Sequence, residues 1–328
     1  MVSGTVIEGV AAPRRAWRPS PEERMDLAGS LPFLGVHLAA LAVFFVGFSW
    51  FALAMAVLLY AVRMFGITAG YHRYLSHKSF QTSRGFQFVL AALATSSGQM
   101  GPLWWAGHHR LHHLHSDTPE DVHSPVLRTI WWSHVGWILC GKYMKTVHRM
   151  VRDLERYPEL EWLNRFYLVP PAALAAGLLG LGCWLRRSAP GLGTDGPQLL
   201  VWGFFVSTVF LYHGTFSINS LCHLTGRRRY DTGDGSRNSF LLALVTLGEG
   251  WHNNHHRYPA SERQGFFWWE FDPTHYALRA LGWMGLVWGL KSPPQAVLDE
   301  ARFYRELKSG LDPRELEDLG LPNPSREA

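Results

Sequence analysis

FALAMAVLLYAVRMFGITAGYHRYLSH, residues 51–77, is almost wholly apolar through Gly70, with one interruption at Arg63, and then carries two histidines, His72 and His77. At about 1.5 Å per helical residue, Phe51 to His72 covers roughly 32 Å, just past a hydrocarbon core of about 30 Å. Such a helix crosses a bilayer and delivers its first histidine at the surface. Five positions along an α-helix amount to about 140° of rotation. The pair His72 and His77 is therefore expected to straddle the helix end.

Leu31 to Trp50, just before this stretch, is apolar apart from His37. The combined run is too long for one span and fits two, turning near Gly47-Phe48-Ser49. Leu168 to Leu185 forms a third candidate. Leu199 to Asn219 forms a fourth, whose Ser207, Thr208, Tyr212, His213, Thr215 and Ser217 require one side to face protein. By the same ruler His223 lies about 36 Å from Leu199, again just outside the core, and Asn219 shares its face. Phe86 to Ala94 is too short to cross and is expected to be a helix buried in the interface. The expected organisation is a polar tail over 1–30, a membrane domain over 31–290 with spans near 31–49, 51–70, 168–185 and 199–219, and a helix and tail over 291–328. The mean hydropathy near zero reflects segregation of apolar runs from polar blocks.

Charge predicts the orientation. Four Lys/Arg precede the first span, 11 lie between Gly66 and Phe166 and 13 follow His223, while the loop at 186–198 holds only Arg186 and Arg187. The positive-inside rule places both termini and the central segment in the cytoplasm. The formal net charge of +5 thus bears on topology. No basic-aromatic motif of a nucleic-acid module is present. Cys140, Cys183 and Cys222 show neither C-x-x-C nor framework spacing. The polar, Arg-containing start does not read as a cleavable signal peptide.

Two further stretches, His109-Arg110-Leu111-His112-His113 and His252-Asn253-Asn254-His255-His256, share the pattern H-x-x-H-H. Positions i, i+3 and i+4 fall on one helical face, so each box can aim three imidazoles at one point. With His72, His77 and His223 this makes more rings than one metal takes, because zinc wants about four ligands and iron at most about six. Two metals are the economical reading, and neutral nitrogen ligation suits iron in oxygen chemistry. A carboxylate dimetal site built on Glu120-x-x-His123 and Glu249-x-x-His252 is the competing pattern. It would leave most of the boxed histidines unused.

These motifs resemble those of membrane fatty-acid desaturases, specifically the acyl-CoA (stearoyl-CoA-type, delta-9) family. The resemblance rests on H-R-Y-L-S-H at 72–77, H-R-L-H-H at 109–113, N-S-L-C-H at 219–223 and G-E-G-W-H-N-N-H-H at 248–256. Gly70-Tyr71, His134-Val135-Gly136-Trp137 and Arg229-Tyr230-Asp231 add to it. It covers roughly residues 30–290. It implies an all-α integral membrane fold of four transmembrane helices under a cytoplasmic helical cap holding a non-haem di-iron site. The implied ligands are His72, His77, His109, His112, His113, His223, His252, His255 and His256, with Asn219 contacting one iron through water. Histidines 37, 108, 115, 123, 134, 148, 213 and 275 are expected to be spectators. The implied reaction is O₂-dependent removal of two hydrogens from adjacent methylenes of a long saturated acyl chain, acyl-CoA at delta-9, giving a cis-monoene. Two electrons come from the substrate and two from an external reductant. The H-P-G-G mark of a fused cytochrome-b5-like domain is absent. A separate donor is therefore expected, a ferredoxin or a cytochrome-b5-like protein with its reductase, with Arg227-Arg228-Arg229 as a candidate docking or headgroup patch. The setting is the inner membrane in a bacterium or the endoplasmic reticulum in a eukaryote.

One departure concerns the carrier. Animal acyl-CoA desaturases are strongly basic after the S-H-V-G-W stretch, whereas this protein has Cys140-Gly141-Lys142, with Lys145 and Arg149 beyond. An acyl group on a lipid is therefore an alternative, as is hydroxylation by the same superfamily. A histidine-rich metal transporter is the rival from another class, but it would place ionisable ligands inside its spans. Only His37, His213 and Arg63 sit there, and the arginine is free to snorkel.

Overall fold

The structure, a computed structural model, describes residues 17–310. Four of its helices are long and apolar enough to cross a membrane: Leu27–Phe44, Trp50–Ser76, Val169–Ser188 and Gly196–Ser220. Their outer faces carry side groups such as Leu38 (71% exposed), Phe44 (79%) and Trp50 (78%). Leaving each of these in water would cost about 1.5–3 kcal/mol relative to burial. Lipid is the medium that suits them, and the molecule is a membrane protein.

The first span is α1 (Leu27–Ala40), capped by the Asp26 side chain on Gly29 N–H (3.0 Å) and extended by a 3-10 turn over Leu41–Phe44. It begins inside the stretch read as a tail. Glu23 is buried there beside Arg128 and Tyr143, and residues 1–16 lie outside the described residues. After a turn, Ser49 caps α2 (Trp50–Phe65), which continues without a break as a π-helix over Gly66–Ser76. The whole is 27 residues, about 40 Å at 1.5 Å per residue, so it stands well above a core of about 30 Å.

That extension packs on α3 (Arg84–Thr95), the short helix expected at the interface. A Cβ on Gly66 would lie 2.8 Å from Ala94 N, and one on Gly70 would lie 2.9 Å from Leu90 O. The two glycines, one helical turn apart, let the backbones touch. A two-residue pairing, β1 (Gln81–Thr82) with β2 (Val287–Trp288), ties this level to the C-terminal part. Next come α4 (Pro102–His115), α5 (Arg152–Glu155), α6 (Pro158–Arg165) and the third span, α7 (Val169–Ser188). The fourth span runs from α8 (Gly196–Leu199) through a π segment, Leu200–Val206, into α9 (Ser207–Ser220). The described residues end with α10 (Phe240–Val245), α11 (His252–Arg257), α12 (Pro273–Trp283) and α13 (Gln295–Gly310). Tyr71, Leu75, Leu103, Leu160 and Leu163 form the apolar core shared by the π-helix, α4 and α6. The tail beyond residue 310 lies outside the described residues.

Arg63 does not snorkel. It is 1% exposed and turns inward to Thr208 Oγ1 (2.7 Å), Ser207 Oγ and the Leu59 carbonyl (3.1 Å), with Phe204 under its guanidinium. Hydroxyls on α9 satisfy its donors inside the bundle, which explains part of that helix's polar side.

Candidate metal centre

Nine histidine rings converge around the C-terminal ends of the second and fourth spans. Ligand atoms of His72, His77, His109, His113 and His255 all lie within 4.8 Å of one another, as do those of His112, His223, His252 and His256. These are the nine rings named from the sequence, but their grouping differs from the expectation. Neither H-x-x-H-H box aims at one point. The i, i+4 pair His109 and His113 enters the first cluster while His112 enters the second. His252 and His256 enter the second while His255 enters the first. Adjacent side groups on a helix diverge by about 100°, so the consecutive histidines of each box straddle the two centres.

The π winding accounts for His72 and His77. The His77 N–H reaches the His72 carbonyl (3.2 Å), an i→i−5 bond, so one wide turn separates them. The rings sit 4.9 Å apart rather than on diverging faces. Within the first cluster His77 Nε2 faces His109 Nε2 (2.8 Å), and His255 Nε2 faces both His72 Nε2 (3.0 Å) and His113 Nε2 (2.9 Å). In the second, His223 Nε2 faces His252 Nε2 (3.0 Å).

Carboxylates behind the rings went unassigned in the sequence. Asp121 meets His112 Nδ1 (3.1 Å), Asp117 meets His223 Nδ1 (2.9 Å) and Asp234 meets His256 Nδ1 (2.6 Å). Glu249 contacts His72 Nδ1 and also pairs with the buried Arg73 (3.2 Å), which Asp272 holds from the other side (3.0 Å). A carboxylate on Nδ1 keeps the proton there and turns the Nε2 lone pair inward, the arrangement that orients metal-ligating histidines. Asp117 holds a left-handed backbone (φ 55°), a conformation uncommon outside glycine. Its carboxylate also receives the Gly235 N–H (2.7 Å). The only local signal for these acids was an Asp-Thr-Gly-Asp-Gly turn at 231–235, too common to single out.

Electrostatics favours neutral rings. Burial first, then neighbouring imidazoles, push His77, His109, His113, His252 and His255 well below the usual 6.5. Burial outweighs Asp234 and brings His256 to about 4. His112 goes the other way: burial opposes its charge, but Asp121 overcomes it and raises the ring. The buried Nε2 of His256 has no hydrogen-bond partner. A buried lone pair with nothing to accept from, beside the rings of His112, His223 and His252, fits a divalent metal that binds neutral imidazole. Both donor sets therefore fit metal ions.

The Glu-x-x-His alternative fails on position, because Glu120 is exposed at the surface while Glu249 is engaged with Arg73 and His72. Of the expected spectators, His123 joins Asp121 and His112 in a third group. His108 bonds the Lys145 carbonyl (3.2 Å) and His275 pairs with Glu262 (2.8 Å). Arg229, in the candidate patch, is partly buried and engaged: it binds Asn254 (2.8 Å) and Glu270 and lies over Phe267.

A cavity of about 390 Å³ opens at the clusters and descends between the spans. His109, His123, Trp105 and Asn219 line its upper end, and Val36, Phe204, Phe205 and Thr208 its deeper part. Away from its histidines, Gln99 and Asn219, and apart from a few hydroxyls, its wall is apolar, so it suits an aliphatic chain.

Comparison with known proteins agrees with this geometry. The family model for fatty acid desaturases matches residues 15–288. The sequence is 38% identical over 275 residues to an sn-1 stearoyl-lipid 9-desaturase of Anabaena variabilis, covering 83% of this protein and 96% of that one. It is 37% identical to an sn-2 palmitoyl-lipid 9-desaturase of Nostoc sp. (88% and 96% covered) and 36% identical to an icosanoyl-CoA 5-desaturase of Limnanthes douglasii (86% and 76%). With spans, histidine clusters and family match in agreement, the protein belongs to the fatty acid desaturase family and is a membrane oxidoreductase that desaturates fatty acyl groups.

Proposed function

We propose that this protein introduces a cis double bond at the delta-9 position of a long saturated acyl group carried on a membrane lipid, with O₂ as co-substrate. The observation that carries this reading is the apolar cavity that ends on His109 and Asn219 at the histidine clusters. In it a methylene pair can be held against the metal centre with water excluded.

His72, His77, His109, His113 and His255 would hold one iron, and His112, His223, His252 and His256 the other. When bound, two irons supply the activation of O₂ needed to break the C–H bond of an internal methylene, which has no acid or base handle. The protein's own residues do the positioning. Asp117, Asp121 and Asp234 hold three rings by their Nδ1 atoms, and Trp105, stacked on His109 at 4.9 Å, closes the cavity roof beside it. Asn219 lines the cavity one helical turn before His223, the place from which it would hold a water on the four-ring side. O₂ takes four electrons to become water. Two come with the substrate hydrogens and two from a separate donor, a ferredoxin or a cytochrome-b5-like protein with its reductase. By the charge bias the clusters face the cytoplasm.

A lipid carrier is favoured by the cations near the cavity's cytoplasmic edge. Lys142 pairs with Glu22 (3.5 Å) and Arg128 with Glu23 (2.8 Å), which weakens a site for CoA phosphates. Lys145 and Arg149 remain exposed and support acyl-CoA as the second reading, in line with the name of the Limnanthes relative. The test is expression in a desaturase-deficient host, followed by fatty-acid analysis with double-bond localisation in each lipid class. A new delta-9 cis-monoene, appearing first in membrane lipid, is the expected result. Appearance first in the CoA pool would move the carrier to acyl-CoA. A hydroxylated product would replace desaturation by hydroxylation.

A further inference from the structure

Three histidines outside the clusters form a hydrogen-bonded series across the seam between the first and fourth spans. His37 Nδ1 on α1 meets the Phe33 carbonyl (2.8 Å), and its Nε2 meets Nε2 of His213 on α9 (3.1 Å). His213 Nδ1 then meets His134 Nε2 (2.9 Å), and His134 Nδ1 meets Ser220 Oγ (2.9 Å). The Phe33 carbonyl can only accept, so His37 donates from Nδ1 and accepts at Nε2. His213 and His134 must then each donate from Nε2 and accept at Nδ1. Three neutral rings supply one hydrogen to each of the first three gaps, and the Ser220 hydroxyl shares its hydrogen between His134 Nδ1 and the Phe216 carbonyl (3.0 Å). The series begins on a backbone carbonyl of α1 and ends on a hydroxyl of α9. It leads to no further titratable group, so it fastens two helices together rather than conducting protons.

What it fastens is a wall of the cavity. Phe33 stacks on Tyr212 (5.5 Å) and Tyr212 on Phe216 (5.6 Å), and all three line the cavity directly behind the histidines. The α1 side of this wall is loosely held. Within Leu27–Ala40 only Ser30 is buried, and Pro32, itself a lining residue, sits inside the helix. Proline has no N–H to give the carbonyl one turn earlier, so the helix is weakened beside the cavity. By contrast α9 is buried along most of its length and gripped by Arg63. One wall is sparsely packed, the other is buried, and a neutral polar latch joins them within the spans.

We propose that the seam between α1 and α9 is a lateral portal, hinged at Pro32 and latched by His37, His213 and His134, through which the acyl tail of a bilayer lipid enters the cavity. This rests on the lipid-carried reading above.

The test needs no turnover. The full-length protein, as a Cys183→Ala, His37→Cys, His213→Cys variant, is placed in phosphatidylcholine vesicles doped with phosphatidylcholine bearing a diazirine midway along its acyl tail. Half is bridged across the seam with a short bis-maleimide containing a cleavable disulfide. After illumination, labelled residues are mapped by mass spectrometry. The expected result is labelling of Trp105 and of Met100, which also lines the cavity, in the unbridged protein, at or above the wild-type level because the latch is gone. Bridging removes that labelling and cleavage restores it, while labelling of the outward Leu38 persists throughout. Equal labelling of Trp105 with and without the bridge overturns the portal while leaving the lipid reading intact. If Trp105 is never labelled from the lipid but is labelled by a diazirine acyl-CoA, the lipid carrier fails and the portal with it.

Discussion

The five-ring and four-ring clusters stand side by side yet are built differently. Three of the four rings in the second are backed at Nδ1 by aspartates: His112 by Asp121, His223 by Asp117 and His256 by Asp234. In the first, among the described residues, only His72 has an acidic partner, Glu249, and that carboxylate is shared with Arg73. A ring with an anion behind it is a stronger and better-oriented donor. The smaller cluster thus makes up in the orientation of its rings what the larger has in number. One centre is held by count, the other by its aspartates.

The largest expected effect is at the four-ring cluster. His256→Ala removes a ligand whose lone pair no neighbour replaces. Iron per protein molecule drops and desaturation falls to background, read by metal analysis and product formation. Wild-type turnover in this variant would remove His256 from the ligand set.

A smaller effect sharpens the asymmetry. Asp234→Asn keeps the ring but weakens its orientation, and loss of such a partner typically costs about 10–100-fold in metal affinity. Metal titration should show the four-ring site weakened and the five-ring site unchanged. Equal weakening of both would mean that the clusters do not differ as described.

The third prediction concerns pH. His77, His109, His113, His252 and His255 lie well below 6.5 in the folded protein, and His256 lies near 4. Between those values and 6.5 the unfolded state binds more protons, so stability falls as pH drops through that window. His112, raised by Asp121, contributes in the opposite sense: its share is present below 6.5 and fades as pH rises through its folded value. Six rings outweigh one, and the melting temperature of metal-free protein should decrease steadily from pH 7 toward 4. A flat or rising profile would contradict the burial of these neutral rings.

The smallest effect is expected at His108, adjacent to His109 in sequence but turned to the Lys145 carbonyl and Trp104. His108→Ala should retain both irons and near-normal turnover, with a stability loss on the order of 1 kcal/mol seen in the melting curve. Iron loss there would shift the register of the box.

Much of the site was legible before any coordinates. Two H-x-x-H-H boxes, an H-x4-H pair at a span's end and His223 one turn beyond Asn219 name the nine rings, because histidine is a rare and chemically specific ligand. The aspartates were not legible. Asp117, Asp121 and Asp234 lie in irregular segments where acidic residues are ordinary, and nothing local says which carboxylate will meet an imidazole. Arg63 was read as snorkelling because the apolar run shows only that a cation interrupts it. Its hydroxyl partners lie on a helix far along the sequence.

The sequence alone determined the elements and the chemistry: apolar runs of bilayer length, positive charge on one side, and imidazoles at the rims of the spans. These are local properties, carried by residue type and helical period. Only the tertiary structure decided how the boxes divide between two centres, which acids stand behind which rings, and that His37, His213 and His134 meet across a seam. Each of these depends on the relative rotation and depth of helices that are distant in the sequence. That rotation is set by packing, such as the contact of Gly66 and Gly70 with α3, and no periodicity within a single segment encodes it.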